Sequence, residues 1–276
     1  MFSQFLVNAW IVGSMVAIAA GLVGFFAVMR GASFASHAIP QGAFAGAAGA
    51  TLIGVSALAG LGVFALAGAL VIALLGRRGR HDVVVALSFV LMLGLGALFL
   101  SMSTEYAPEV FALLFGEILG VSRSEILPSA LLVLGCALAV AGLYRPLLFS
   151  SVLPEVAEGR GVRAFAAELG FLVLVAAATT ATVPIVGALL MFSLMIAPAA
   201  SARLLTSRPG VALCLSAALS LVTLWASIAS AYATNWPIGF FVGAFGAGIF
   251  LLVRTAASVR SRLTARPAPQ PATAVA

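Results

Sequence analysis

The segment VGALLMFSLMIAPAASARLL, residues 186–205, is an almost uninterrupted apolar run that reaches Arg203 after about the length of one membrane-spanning helix. Similar runs recur along nearly the whole chain of 276 residues, of which 63% are hydrophobic and 8% charged, with a mean hydropathy of +1.21. An ordinary soluble domain carries roughly a quarter charged residues. The sequence therefore predicts an all-α, polytopic helical membrane protein with one transmembrane domain over residues 1–255.

Polar breaks divide this domain into candidate spans of about 20 residues, the length that the hydrocarbon core of a bilayer requires. Two glycine-rich segments within the spans, GAFAGAAGA (42–50) and GLGVFALAGA (60–69), predict close packing between helices. Eight spans are tenable, but the pattern favours nine, over residues 8–29, 37–57, 58–75, 83–100, 126–144, 165–182, 183–205, 211–233 and 237–254.

The fourteen basic residues are all arginines, and they lie at the ends of apolar runs. With nine spans, all of them except Arg123 fall on one side of the membrane, which the positive-inside rule identifies as the cytoplasm. A nucleic-acid partner would need a basic patch with interleaved aromatic residues, so the pattern excludes one and leaves the lipid bilayer as the surroundings. The opposite side receives acidic residues between the fourth and fifth spans: Glu105, Glu109, Glu117 and Glu125.

Three features lie outside this pattern of spans and arginines. The apolar segment Val110–Val121 is too short to cross a membrane and is predicted to be an interfacial or re-entrant helix. Residues 256–276 end in RPAPQPATAVA and are predicted to form a disordered cytoplasmic tail. Glu168 is interpreted as an end residue of its span that reaches the membrane surface, with a role in a transport pathway as the alternative.

The sequence GASFASHAIPQGAFAG, residues 31–46, places His37 at the start of an apolar run. Residues four apart on a helix share a face, so Ser33, His37 and Gln41 are predicted to form one polar stripe. An imidazole in a span either lines a pathway or is a packed histidine, hydrogen-bonded to Ser33 or to a backbone carbonyl freed by Pro40. Pro40 is also expected to make the start of this helix irregular.

Four stretches, in this order and spacing, carry a resemblance to a known family. They are SFASHAIPQGAFAG (33–46), LLFGEILGVSRSEIL (113–127), LYRPLLFSSVLPEVAEGRGV (143–162) and VGALLMFSLMIAPAASARLL (186–205). The chain resembles the permease subunits of ATP-binding-cassette (ABC) importers for zinc, manganese and chelated iron. The resemblance implies a type II ABC importer permease with 8–9 transmembrane helices, located in the bacterial cytoplasmic (inner) membrane.

The same resemblance implies a set of partners. A second permease copy or paralogue would complete the pathway, a cytoplasmic ABC ATPase dimer would drive it, and an extracytoplasmic solute-binding protein would deliver the cargo. The chain has no G-x-x-x-x-G-K-[ST] phosphate loop, so ATP hydrolysis is expected in a separate subunit and this chain is not expected to be an enzyme. No permanently bound cofactor is implied, because a transported metal ion would be cargo.

Two stretches on the arginine-rich side resemble contacts to the ATPase. PAASARLLTSRPG (198–210) resembles the coupling helix of the family and is predicted to be a short helix that docks on the ATPase. The alternative is that its two arginines only anchor the preceding span. SSVLPEVAEGRGV is predicted to be a solvated loop or a secondary contact, through Glu155, Glu158 and Arg160. The predicted coupling residues are Pro198, Ala199, Ala200, Ser201, Ala202, Arg203, Leu204, Leu205 and Arg208.

In the family, the residue at the position of Ser33 is commonly an aspartate that is proposed to hold the passing metal together with the histidine. Here the stripe has no charge, and a neutral imidazole with two neutral oxygens should bind zinc or manganese more weakly than a site with a carboxylate. The expected cargo is a divalent transition metal, zinc or manganese and less so iron. A small organic or chelated cargo in the same architecture is the alternative.

Overall fold

The computed structural model describes residues 4–76, 81–102, 116, 118–161 and 163–264. Within these ranges the chain forms helices and no strand, which confirms the all-α prediction. A single 3-10 turn, Ile118–Gly120, precedes the fifth α-helix. The α-helices are α1 (Gln4–Met29), α2 (Ser33–Leu52), α3 (Ala57–Gly76), α4 (His81–Met102), α5 (Arg123–Val152), α6 (Pro154–Gly159), α7 (Ala164–Val186), α8 (Ala188–Leu205), α9 (Pro209–Thr234) and α10 (Ile238–Thr264).

Each of the nine predicted spans corresponds to one long helix in the described part of the chain. Eight of these helices are long and apolar enough to cross a membrane. The ninth is α2, which has the length of a span at 20 residues but contains Ser, His, Gln and many Gly and Ala residues. The plans with eight and nine spans therefore differ in how α2 is counted.

The helices form two groups, which α7 joins and which also meet where α2 packs on α8. In the first group, α1 packs against α5, α8 and α9, and in the second, α2 packs against α3 and α4. The connecting helix α7 contacts α1 and α5 on one side and α3 on the other. The spans α1 and α7 are mostly buried, whereas α4, α5 and α10 expose most of their residues. Those three helices therefore offer most of the surface that can face lipid or partner subunits.

A tight turn between α1 and α2 sets the position of α2. The amide of Ala32 donates to the carbonyl of Ala27 at 2.9 Å, and the amide of Gly31 donates to Val28 at 3.3 Å. Gly31 has φ of 66°, a left-handed conformation that glycine adopts without strain. This is the Schellman arrangement that ends many helices. It lets α2 begin directly at Ser33, beside the end of α1.

The close packing predicted from the glycine-rich segments is present between α2 and α3. A Cβ atom built on Gly46 would lie 2.2 Å from the carbonyl oxygen of Gly60, and one built on Gly60 would lie 2.1 Å from the carbonyl oxygen of Gly46. Only glycine allows the two backbones to approach this far. The contact fixes α2, a helix with little hydrophobic surface of its own, against the rest of the bundle.

Three predictions concern segments at the edges of the described ranges. The helix α10 continues to Thr264, nine residues into the segment predicted to be a disordered tail, and residues 265–276 lie outside the described residues. The sequence TAASVRSRLT explains the continuation, because Ala, Arg and Leu favour helix and arginines suit its C-terminal end. Most of the predicted interfacial segment Val110–Val121, as well as the arginines at positions 77, 78 and 80, lies outside the described residues.

Candidate translocation pathway and arginine-rich end

The polar stripe of α2 is partly exposed on a helix that is buried over most of its length. Between Ser33 and Ala50, the residues that are not fully buried are Ser33, Phe34, His37, Gln41 and Gly49. Ser33, His37 and Gln41 follow each other at intervals of four and therefore lie on one face. This face is accessible on the single chain. The role of the three side chains in binding cargo stays a prediction.

The imidazole of His37 lies between aromatic rings from two other helices. Its ring centroid is 4.6 Å from that of Phe192 on α8 and 5.9 Å from that of Phe89 on α4. Its Nδ1 atom is buried and has no hydrogen-bond partner among the described residues. This nitrogen forms no hydrogen bond to Ser33 or to a freed carbonyl, and the choice between a pathway histidine and a packed one stays a prediction.

Contrary to the expectation from the sequence, Pro40 does not make the start of α2 irregular. The helix begins at Ser33 and runs unbroken through Pro40, so the proline lies in the helix interior. The first turn is regular, with the amide of Ser36 donating to the carbonyl of Ala32 at 3.0 Å. Because proline has no amide hydrogen, the carbonyl of Ser36 receives no helical hydrogen bond. The missing helical hydrogen bond therefore lies at Ser36, next to His37, and not at the start of the helix.

The stretch predicted to be a separate coupling helix is instead the second half of α8. The helix runs from Ala188 to Leu205 without a break at Pro198, so the prediction of a separate short helix within residues 198–210 is wrong. The carbonyl of Leu194, which Pro198 leaves without its helical donor, accepts a hydrogen bond from the Ser220 hydroxyl of α9 at 3.1 Å. This contact explains why the helix continues.

Burial divides the predicted coupling residues into two sets. Pro198, Ala199, Ser201 and Ala202 are buried and Ala200 is partly buried, so they belong to the helix bundle. The exposed residues are the last turn of α8 and the arginine beyond it: Arg203, Leu204, Leu205 and Arg208. Arg203 contacts the sulfur of Met29 at the end of α1. Only this exposed set is available to a partner subunit.

A short helix separate from the long spans, α6, lies at the arginine-rich end. It is held by Ala157, which is 2% exposed, while Glu155, Glu158 and Arg160 are exposed. The guanidinium of Arg160 lies over the ring of Phe149, 5.5 Å from its centroid. Sequence reasoning missed the exposed apolar side chains around it, Val152, Leu153 and Val156. Their signal was the presence of large apolar residues in a connection that is otherwise polar.

A second feature missed from the sequence is a cluster of charged residues that joins four helix ends. His81 Nδ1 lies 3.1 Å from a carboxylate oxygen of Glu168, and Arg30 donates to the Ser150 hydroxyl at 2.7 Å. The Arg30 guanidinium lies 5.5 Å from the ring centroid of Phe171. Burial lowers the pKa of Arg30, and the charge of Glu168 opposes that shift. The cluster lines a cavity of about 310 Å³.

The contact with His81 gives Glu168 a role that neither sequence interpretation included. It links the first residue of α4 to the second turn of α7, and Arg30 links the ends of α1 and α5. The sequence indicated this cluster only in that its residues lie near span ends on the same side of the membrane. Pairing between positions so far apart in sequence cannot be read from spacing.

These observations define a class of protein first. In the described ranges, eight apolar helices of span length and the polar-faced α2 form a multi-pass membrane protein, with arginines and an exposed short helix at one end. The profile of the family described as "ABC 3 transport family" matches residues 2–257, and the chain belongs to this family. The resemblance seen in the sequence is thus confirmed. The chain is a permease subunit of the bacterial cytoplasmic membrane, not an enzyme.

Individual relatives are similar over most of their length. The manganese transport system membrane protein MntC of Halalkalibacterium halodurans is 28% identical over 227 residues, covering 82% of this chain and 78% of the relative. The chelated iron transport system membrane protein YfeC of Yersinia pestis is 24% identical over 254 residues, covering 91% and 83%. The structure of PsaBC from Streptococcus pneumoniae in complex with Fab shares the fold, with a TM-score of 0.81, 24% identity and 91% coverage of each chain.

Proposed function

We propose that this chain forms the pathway of an importer for a divalent transition metal, with zinc or manganese favoured over iron. The observation that carries the proposal is the partly exposed polar stripe of Ser33, His37 and Gln41 on a helix that is mostly buried. Polar groups at membrane depth are costly and usually serve transport or binding. MntC and YfeC, the two relatives, are described as manganese and chelated iron transport proteins.

The chemistry of the stripe suits an ion that must be released again. Imidazole nitrogen binds zinc and iron well, and oxygen ligands suit manganese. The side-chain oxygens of Ser33 and Gln41 carry no charge. Such a site binds weakly, and a pathway needs binding weak enough to let the cargo leave. Ser33 in place of an aspartate is therefore compatible with transport of an ion, at lower affinity.

A chelated or small organic cargo is the second candidate. Among the residues that the structure describes, no group of three or more His, Cys, Asp or Glu side chains could hold a metal ion. One chain therefore offers an incomplete site for a bare ion, and a second permease copy or paralogue would have to complete it. A chelated metal brings its own ligands and needs no such completion. The uncharged Ser33 favours this candidate.

The proposed partner at the arginine-rich end is the ATPase dimer. Exposed apolar side chains of Leu204 and Leu205 on α8 and Val156 on α6 are bordered by charged residues. Apolar patches with a charged rim are typical of protein interfaces. We infer that α6 and the end of α8 dock on the ATPase together, with Glu155, Glu158, Arg160, Arg203 and Arg208 at the rim. An extracytoplasmic solute-binding protein would deliver cargo at the opposite end.

Metal quantification in cells with and without the gene tests the proposal. Loss of the gene should lower cellular zinc or manganese, and the His37→Ala variant should fail to restore it. His81→Ala, which removes the other histidine of the chain, is the matched control and should restore uptake. If a chelated metal is taken up through the gene and free zinc and manganese are not, the second candidate is correct.

Restoring the carboxylate gives a second test on the purified protein. A carboxylate at position 33 lies one helical turn from His37 and could bind the same ion. A charge at the helix centre costs roughly 2.5–3.5 kcal/mol of insertion free energy, and a carboxylate at position 33, the first residue of α2, should cost less than this. Zinc or manganese should then raise the melting temperature of Ser33→Asp more than that of the parent. An equal shift in both proteins would contradict a site at this stripe.

A further inference from the structure

The imidazole of His37 is oriented by aromatic rings in place of a hydrogen bond. In metal sites, the nitrogen of histidine that does not bind the metal usually donates to a carboxylate, a carbonyl or a water, and this bond fixes the ring. The buried Nδ1 of His37 has no such partner in the described part of the chain. The orientation of the ring must therefore come from the groups packed around it.

Those groups are Phe192 and Phe89. Phe192 meets the imidazole at an interplanar angle of 67° and Phe89 at 55°, so the rings approach it from α8 and α4. Phe89 is in turn contacted edge-on by Phe34, with centroids 6.5 Å apart and an angle of 78°. Tilted and edge-on contacts of this kind are directional, and they resist rotation of the imidazole about its χ2 angle.

Since Nδ1 is buried, the accessible edge of the ring is the one that carries Nε2. His37 is neither fully buried nor fully exposed, which is consistent with one covered and one open edge. Rotation of the ring by half a turn about χ2 would place a carbon at the position of each nitrogen and turn Nε2 away from the open edge. The aromatic contacts thus decide whether Nε2 faces the pathway.

We propose that Phe192 and Phe89 are positioning residues that hold the imidazole of His37 with Nε2 toward the cargo. They replace the hydrogen-bonded partner that orients a metal-ligating histidine elsewhere. The proposal rests on the proposed function, since it takes His37 as the ligand. It adds that two side chains from other helices, neither able to bind a metal, determine the affinity of the site.

The test uses the full chain, purified with the subunits that accompany it and reconstituted in lipid nanodiscs. Zinc affinity is measured by titration calorimetry, and the visible absorption of bound Co²⁺ reports the ligand geometry. Phe192→Leu should weaken zinc binding by about 10–100-fold, the range typical when the group that orients a ligating histidine is lost, and shift the Co²⁺ bands. Phe192→Tyr keeps the ring and should stay close to the parent.

A matched control exists elsewhere on the same helices. Phe99 on α4 is partly buried and packs edge-on against Phe64, with centroids 6.4 Å apart, so Phe99→Leu removes a similar contact away from His37. It should leave zinc affinity and the Co²⁺ spectrum unchanged. Phe89→Leu serves as the second variant if Phe192→Leu does not assemble, and it should weaken zinc binding in the same direction.

The outcomes separate this inference from the proposed function. If His37→Ala binds zinc as the parent does, His37 is not the ligand and the proposed site fails, and the inference fails with it. If His37→Ala loses zinc binding while Phe192→Leu and Phe89→Leu keep the parent affinity and spectrum, the proposed site stands and the positioning role is overturned.

Discussion

Replacing Gly46 with alanine should destabilise the bundle at the helix that carries the polar stripe. A Cβ atom at this position would lie 2.2 Å from the carbonyl oxygen of Gly60 and 2.5 Å from Cβ of Phe64. The first of these contacts is with backbone, so no side-chain rotation relieves it. The variant can accommodate the methyl group only if α2 and α3 move apart.

The size of that movement follows from the contact distance. Ordinary van der Waals contact begins at 3.4 Å, so the two backbones must separate by about 1.2 Å near Gly46. Inserting a methyl group into a packed interior costs about 1–3 kcal/mol of unfolding free energy, against about 0.5–1 kcal/mol gained because alanine favours helix over glycine. The net effect should therefore be a loss of about 1–2 kcal/mol of unfolding free energy.

Thermal unfolding in detergent, followed by far-UV circular dichroism, measures the effect. The midpoint of Gly46→Ala should fall by about 2–8 °C for a chain of this size. Gly94→Ala is the control, because no atom lies within 4 Å of a Cβ built there and only the helix propensity changes. A midpoint for Gly46→Ala equal to or above that of Gly94→Ala would refute the argument from close packing.

Two further predictions concern the arginine-rich end. Charge reversal of both Arg203 and Arg208 should abolish ATPase-driven transport without loss of membrane insertion. Charge reversal of Arg254, which is exposed on α10, is the control and should leave transport intact. Equal transport activity of all variants would mean that these arginines only anchor helices. Glu168→Gln removes the partner of His81 at a site that is 28% exposed, so it should lower stability by about 0.5–1 kcal/mol, measured by thermal unfolding against the exposed Glu158→Gln as control.

The long helices were predictable from the sequence because the membrane imposes a length and a hydropathy on each span. The exceptions arise from individual turns and hydrogen bonds, which the hydropathy of the sequence does not reveal. The span predicted to begin at residue 37 starts at Ser33, since a turn closed by Gly31 precedes it. The break predicted at Pro198 does not occur, because Ser220 on a different helix satisfies the carbonyl that the proline leaves free.

The candidate site was predictable only as far as one helix extends. The spacing of Ser33, His37 and Gln41 fixes their common face, since helix geometry is regular. The rings of Phe89 and Phe192 come from α4 and α8, and no spacing in the sequence relates them to His37. The same limit applies to His81 and Glu168, whose pairing depends on how α4 and α7 pack.

The helix that carries the polar stripe is also the long helix that does not meet the composition of a membrane span. The two facts have one physical cause. A span that faces lipid must be apolar, but α2 is shielded by α3, α4, α7 and α8 and can therefore contain Ser, His, Gln and glycine. Glycine then permits the close contact with α3 that holds it in place, because packing drives helix association inside a membrane. A polar helix that apolar helices shield on its other faces is thus both the least hydrophobic span and the one best able to line a pathway.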